Sequence, residues 1–300
     1  EILPDIDIAK RKIERLIIVP DGDFHLFPFG SLSTQEHGVL AEHLTTVRTS
    51  SVSRYFGDRA EVTSSSGIGV FSDPNFNLDT LAQYSNDASL TNWYSQFQRL
   101  PWTAEIGSYI QDLFPKTKVK HISGANATNS ELLSYPMRNS QILHIATHAY
   151  YDKENPELVG LVTAPQIKNT ADSTIRDIGY LSIHDVLDHP FHSELIVISA
   201  CESQMGKNYG GEGVRGLAYS FLAQGAGSVI GTLWKIPDKP TALFMQRFYK
   251  ALKDNGGNSV KALQAARQSF IRSGRYKHPK YWAGFVLTVA NRQYEKIYFN

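Results

Sequence analysis

Two apolar runs, Gln141-Ile-Leu-His-Ile-Ala-Thr-His148 and Glu194-Leu-Ile-Val-Ile-Ser-Ala-Cys201, constrain the fold of this chain more than any other feature. Both are short, rich in isoleucine, valine and leucine, and bounded by polar or turn-forming residues. They read as strands buried on both faces of a parallel sheet, since a strand with one wet face alternates apolar and polar residues. The run ends lie 53 residues apart, enough for the crossover that parallel neighbours need. Ligands bind at the carboxyl ends of such strands. One run ends there on an imidazole and the other on the sole cysteine of the chain, so a nucleophile and its base reach one rim. The leading expectation is a cysteine peptidase.

The remaining pattern fills in an α/β architecture. Residues 15–19 read as a first strand, Pro20-Asp-Gly22 as a turn, and 24–29 as a second strand stopped by Pro28, which makes the opening a hairpin. Strands follow at 67–71 and 118–122, with a helix from about 102 to 114 whose Ile106, Tyr109, Ile110 and Leu113 share one face. Thr128-Asn-Ser-Glu131 has the form of a capping box opening another helix. The stretch 152–179 is long and polar, and a short helix lies near 182–187. Beyond Cys201 a glycine-rich loop, 206–213, leads into an apolar helix over 214–223, then a strand at 228–233. Two amphipathic helices, near 241–252 and 259–271, precede a last strand at 285–289. Alternating strands and helices predict a three-layer α/β sandwich with a mostly parallel central sheet. Residues 1–60 form an N-terminal strand and hairpin region, and 61–300 the catalytic core.

Composition excludes several classes. The 300 residues are 42% hydrophobic, with 30 basic and 29 acidic side chains interspersed, so no basic stripe exists to bind nucleic acid. A lone cysteine allows no internal disulfide and suits a reducing, cytoplasmic setting. No apolar stretch approaches a membrane span, and the opening Glu1-Ile-Leu-Pro-Asp-Ile-Asp7 lacks a signal-peptide pattern. His144 lies four residues before His148, about 13 Å along a strand, too far for both to hold one metal; it reads as a core histidine. His184, His189 and His192 straddle a helix end and Pro190, and read as surface residues. The glycine-rich loop lacks the Gly-Lys-Ser/Thr ending of a phosphate-binding loop and reads as a mobile loop at the active site. No metal or organic cofactor is required.

Several stretches together resemble a CHAT domain, a caspase-like family related to separase. They are Pro20-Asp-Gly22, His144-Ile-Ala-Thr-His-Ala149, Leu195-Ile-Val-Ile-Ser-Ala-Cys-Glu202, Gly211-Glu-Gly-Val-Arg-Gly-Leu217, Gly225-Ala-Gly-Ser-Val-Ile-Gly-Thr-Leu-Trp234 and Tyr281-Trp-Ala-Gly-Phe285. The resemblance implies a caspase-like fold, a His148/Cys201 dyad and endopeptidase activity on protein substrates through a thioester. It also implies an oxyanion site built from the backbone N–H groups of Ala149 and Cys201. Members commonly stand behind tetratricopeptide-type repeats, and some act in bacterial defence, including CRISPR-type effector complexes. A regulatory protein partner is therefore expected.

Around the substrate, resemblance to separase makes the loop running from Trp234 through Lys235-Ile-Pro-Asp238 a border of the pocket for the side chain before the cut. Asp152 and Glu202 lie near the same rim. Two rival readings remain: a catalytically silent caspase-fold binding or scaffold module in a bacterial defence or signalling complex, and a cysteine-dependent enzyme acting on small molecules. An open groove favours a peptidase over the latter, and a deep apolar pocket the reverse.

Overall fold

The computed structural model describes residues 12–34, 38–57, 65–76, 92–152, 154–155, 158–169, 174–200, 206–209 and 213–299. Eight strands form the central sheet: β1 (Arg15–Ile18), β2 (Thr45–Arg48), β3 (Ser65–Pro74), β4 (Val119–Gly124), β5 (Ser140–Ala146), then β9 (Leu195–Ile198), β10 (Ser228–Thr232) and β11 (Phe285–Val289). Between β5 and β9, besides a hairpin of Gln166–Asn169 with Thr174–Asp177, lie three short strands, β6 (His148–Tyr151), β7 (Val159–Val162) and β8 (Tyr180–Ser182), which pair among themselves in the order β8-β7-β6. The central order is β1-β2-β11-β10-β9-β5-β3-β4. The five strands β10, β9, β5, β3 and β4 are mutually parallel. β11, β2 and β1 are parallel to one another, and the two blocks meet antiparallel at β10 and β11.

Alternation along the strands sends side chains to two cores, because successive residues of a strand face opposite ways. Ile142, Leu195 and Val197 face one core with Val70 and Ile230. Three helices cover that face: α1 (Pro101–Leu113), α4 (Asp238–Asp254) and α5 (Ser259–Ile271). They bury Ile106 and Ile110 from α1, Phe244, Phe248 and Leu252 from α4, and Leu263, Ala266 and Phe270 from α5, spaced three or four apart as an amphipathic helix requires. Leu143, Ile145, Ile196 and Ile198 face the second core, closed by α2 (Ile183–Leu187), α3 (Leu217–Ala223) and the β8-β7-β6 sheet. Each fully buried aliphatic side chain contributes about 1.5–3 kcal/mol, so the two cores dominate the stability of the sandwich.

Several local expectations change. Residues 24–29 are not a strand: they run through two 3-10 turns, Gly22–Leu26 and Phe29–Ser31, joined by Phe27 and Pro28, and the Phe24, Phe27 and Phe29 rings pack on one another 5.0–6.3 Å apart. The first strand instead pairs in parallel with β2, and among the described N-terminal residues Ser33–Thr34 pairs antiparallel with Gly38–Val39. Within the polar stretch 152–179, Val159-Gly-Leu-Val162 is a fully buried strand. Residues 214–216, expected to be helical, belong to a strand, Gly213–Gly216, that pairs with Gly206–Tyr209, and the helix begins only at Leu217. Thr128 caps a helix of four residues, Asn129–Leu132, while the Glu131 carboxylate pairs with Lys120 at 3.3 Å instead of closing the box. The reciprocal box does form at α2, between Ser182 and Asp185. Among the described residues no helix is long and apolar enough to cross a membrane.

Candidate active site

The carboxyl ends of β3, β5, β9 and β10 lie side by side, and the strands that lead to His148 and Cys201 end at this rim. β5 and β9 pair in register, Ile145 opposite Ile198, an offset of 53 positions equal to the separation of His148 and Cys201. Past the paired residues the Ser199 N–H still donates to the Ile145 carbonyl at 2.8 Å, and the Thr232 hydroxyl donates to the Ala200 carbonyl. The backbone leading toward Cys201 is thus tied to both neighbouring strands. Cys201 and Glu202 themselves lie outside the described residues.

His148 does not end β5. That strand stops at Ala146, the Thr147 hydroxyl turns to the Val162 carbonyl, and His148 opens β6. Its Nε2 lies 2.7 Å from the Gln98 carbonyl oxygen. A carbonyl can only accept, so Nε2 carries the hydrogen, and in the neutral ring Nδ1 holds the basic lone pair. The ring packs against Phe97 and Phe76, with centroids 5.4 and 5.6 Å away. Burial pulls the His148 pKa below the usual histidine value; the Gln98 hydrogen bond opposes this, and the Lys235 charge adds to it. The ring is therefore neutral at neutral pH and able to accept a proton.

The segment that offers Gln98 is clamped to the neighbouring strand. Asp73, near the end of β3, accepts from Arg99 Nε at 2.8 Å, from Arg99 Nη2, and from the Leu100 N–H at 2.8 Å. Its carboxylate is buried while the arginine is half exposed. Asp73 sits at φ +45°, a left-handed conformation that aspartate and asparagine tolerate better than most side chains. The clamp spans residues 99 and 100, next to Gln98, and fixes the carbonyl that orients the imidazole. No sequence signal pointed to Gln98, because every residue has a carbonyl.

Ala149 lies opposite Leu161 in the β6–β7 ladder. The Asp152 N–H donates to the Leu158 carbonyl, which makes 152/158 a hydrogen-bonded pair of that ladder. Antiparallel pairs alternate between bonded and non-bonded, so 150/160 and 148/162 are the bonded pairs and the Ala149 N–H points away from β7. Asp152 accepts from the N–H groups of Glu154 and Asn155, which lower its pKa and tie it into a turn beyond the strand. Trp234, just past β10, donates its ring N–H to the Lys280 carbonyl at 2.9 Å. The ring lies over Gly284, where an added Cβ would meet it at 2.9 Å. Asp238 opens α4, and its Oδ2 accepts from the Trp102 N–H in the first turn of α1 at 3.0 Å. Burial raises its pKa against that bond. The structure thus gives Asp238 a helix-capping task.

His144 is the buried histidine the spacing predicted, with Nδ1 2.9 Å from the Tyr249 hydroxyl. Among the described residues no group of three or more His, Cys, Asp or Glu side chains could hold a metal ion.

The CHAT domain family model matches residues 2–290. Tetratricopeptide repeat protein 28 of Homo sapiens is 24% identical over 315 residues, covering 91% of this chain but only 12% of that protein. Among solved structures, the separase–securin complex of Saccharomyces cerevisiae aligns with a TM-score of 0.53 at 16% identity, over 91% of this chain and 15% of that one. The complex of the pro- and mature domains of RgpB from Porphyromonas gingivalis also reaches 0.53, at 9% identity, over 94% of this chain and 66% of that one. At such identities the likeness speaks for the fold. With the family match spanning nearly the whole chain and the α/β sandwich aligning with both structures, the chain belongs to the CHAT domain family and has a caspase-like peptidase fold.

Proposed function

We propose that this chain is a cysteine endopeptidase domain in which His148 and Cys201 cleave a protein substrate through a thioester. The observation that supports it most is the Gln98 carbonyl on His148 Nε2, which leaves Nδ1 as the base on an imidazole that burial keeps neutral. The Cys201 sulfur attacks the scissile carbonyl carbon as its proton passes to Nδ1. The tetrahedral oxyanion takes hydrogen bonds from the outward-pointing Ala149 N–H and from the Cys201 N–H. His148 returns the proton to the leaving amine, then takes one from the water that hydrolyses the thioester. No metal or organic cofactor enters these steps. A cytoplasmic setting would keep the lone thiol reduced.

Control by a protein partner, or by regions beyond this chain, fits two relatives: a protein named for its tetratricopeptide repeats, of which the chain covers 12%, and a separase solved with securin. Regulation within a bacterial defence complex belongs to the same reading.

The test is intact-mass labelling by peptidyl electrophiles, with and without candidate partners, using Cys201→Ala and His148→Ala as controls. Peptide-dependent modification of Cys201 that falls in His148→Ala is expected. Absence of labelling under every activating condition would replace the enzyme with a binding module.

A further inference from the structure

Two arginines are buried side by side on the face of the sheet under α5. Arg48 ends β2 and Arg267 projects from α5, with 5% and 3% of their surfaces exposed. Among the described residues neither meets a carboxylate. Arg48 donates to the carbonyls of His25 and Phe27 and lies 5.8 Å from the Phe29 ring centroid. Arg267 donates to the Thr46 hydroxyl at 2.8 Å and to the Phe285 carbonyl, and its Nε has no hydrogen-bond partner. Every partner among the described residues is neutral. Burial lowers both pKa values, to about 9 for Arg48, where the Arg267 charge adds to the effect, and to about 10 for Arg267. Both therefore remain charged at neutral pH, and two uncompensated buried charges are costly.

A cavity adjoins both guanidinium-bearing residues, lined also by Phe29, Gly30, Thr46 and Leu287. It offers the centre of a water-sized sphere about 10 Å³, enough for one small particle and too little for a tetrahedral oxyanion. Gly30 keeps it open: a Cβ there would lie 3.3 Å from Arg267 Nη1.

We infer that Arg48, Arg267 and the bare backbone of Gly30 form a buried site for one monatomic anion of the halide class. The anion supplies the missing negative charge and a partner for the unpaired guanidinium N–H. It also fastens the 3-10 turns of residues 22–31, which Arg48 holds through the His25 and Phe27 carbonyls, onto β2 and α5.

The test titrates the chain from sodium gluconate into sodium chloride or bromide at constant ionic strength while following thermal melting, and locates bromide in crystals by anomalous scattering. Expected are a saturating rise in melting temperature of at least about 2 °C and a bromide peak between the two guanidinium groups. Gly30→Ala, which fills the seat without a left-handed backbone, should abolish both. Equal melting in the three salts, or no bromide peak, overturns the inference. A peak without any melting response marks an adventitious ion only and overturns it too, as does a Gly30→Ala protein that keeps the halide response. If Gly30→Ala fails to fold, the wild-type titration and the bromide map decide.

Discussion

Replacing Asp73 by Asn isolates the clamp that holds the Gln98 carbonyl on His148. Asparagine keeps an oxygen for the Leu100 N–H and tolerates φ +45°, so the variant removes chiefly the charge opposite Arg99. Hydrogen bonds to charged groups contribute about 1.5–3 kcal/mol, and the half-exposed arginine puts this one at the low end. A loss of about 1–2 kcal/mol follows, or roughly 2–3 °C in melting temperature for a chain of this size. Asp73→Ala removes the acceptor of the Leu100 N–H as well and places a methyl-bearing residue in the left-handed region, adding about 2–3 kcal/mol. The graded pair is measured by thermal melting and, in peptide cleavage, by kcat/KM. Weakening the Gln98 hold on the imidazole by about 1.4 kcal/mol predicts a tenfold fall in kcat/KM with KM little changed. Melting of Asp73→Asn within 1 °C of wild type, with unaltered cleavage, would show that the carboxylate neither secures the segment nor orients the histidine.

Other perturbations separate local effects. Burial lowers the folded-state pKa of His144 to about 3 from an unfolded value near 6.5. Its neutral form therefore stabilises the fold fully above pH 6.5, and that contribution is lost as pH falls from 6.5 toward 3, amounting to about 3 kcal/mol at pH 4. His144→Gln should flatten denaturant-derived stability against pH by about one proton over that window, and an unchanged slope would refute it. Gly256 and Gly257 share one turn at φ +59° and +83°; a Cβ on the first meets nothing within 4 Å, whereas on the second it lies 1.8 Å from the Ile297 carbonyl. Gly256→Ala should cost about 1 kcal/mol and Gly257→Ala at least about 3 kcal/mol in chemical denaturation. Lys235 helps hold the His148 pKa down, so Lys235→Ala should move the acid limb of the kcat/KM profile to higher pH. A stationary limb would remove Lys235 from the electrostatics of the site.

What the sequence made legible follows the period of each element. Strands β5 and β9 are continuous apolar runs buried on both faces, so their identity, and the rim at their ends, can be read without tertiary knowledge. The pairing at an offset of 53 then brings the histidine strand beside the strand that runs on to Cys201. Residues 24–29 defeated the same logic because Phe24, Leu26, Phe27 and Phe29 alternate loosely enough for a strand, yet with Pro28 among them they suit two tight turns whose phenylalanines pack together. Val159-Gly-Leu-Val162 is interrupted by Gly160 and lies inside a stretch whose overall composition is polar, so it did not stand out, although burial against two other elements makes it a strand. The site shows the same limit more sharply. Side chains that do chemistry announce themselves by type, whereas the Gln98 carbonyl that orients the imidazole belongs to a group every residue has. Asp73 matters through three contacts on a segment 26 and 27 residues away. Only the folded chain assigns such roles, because they depend on where a backbone is held and not on which side chain it bears.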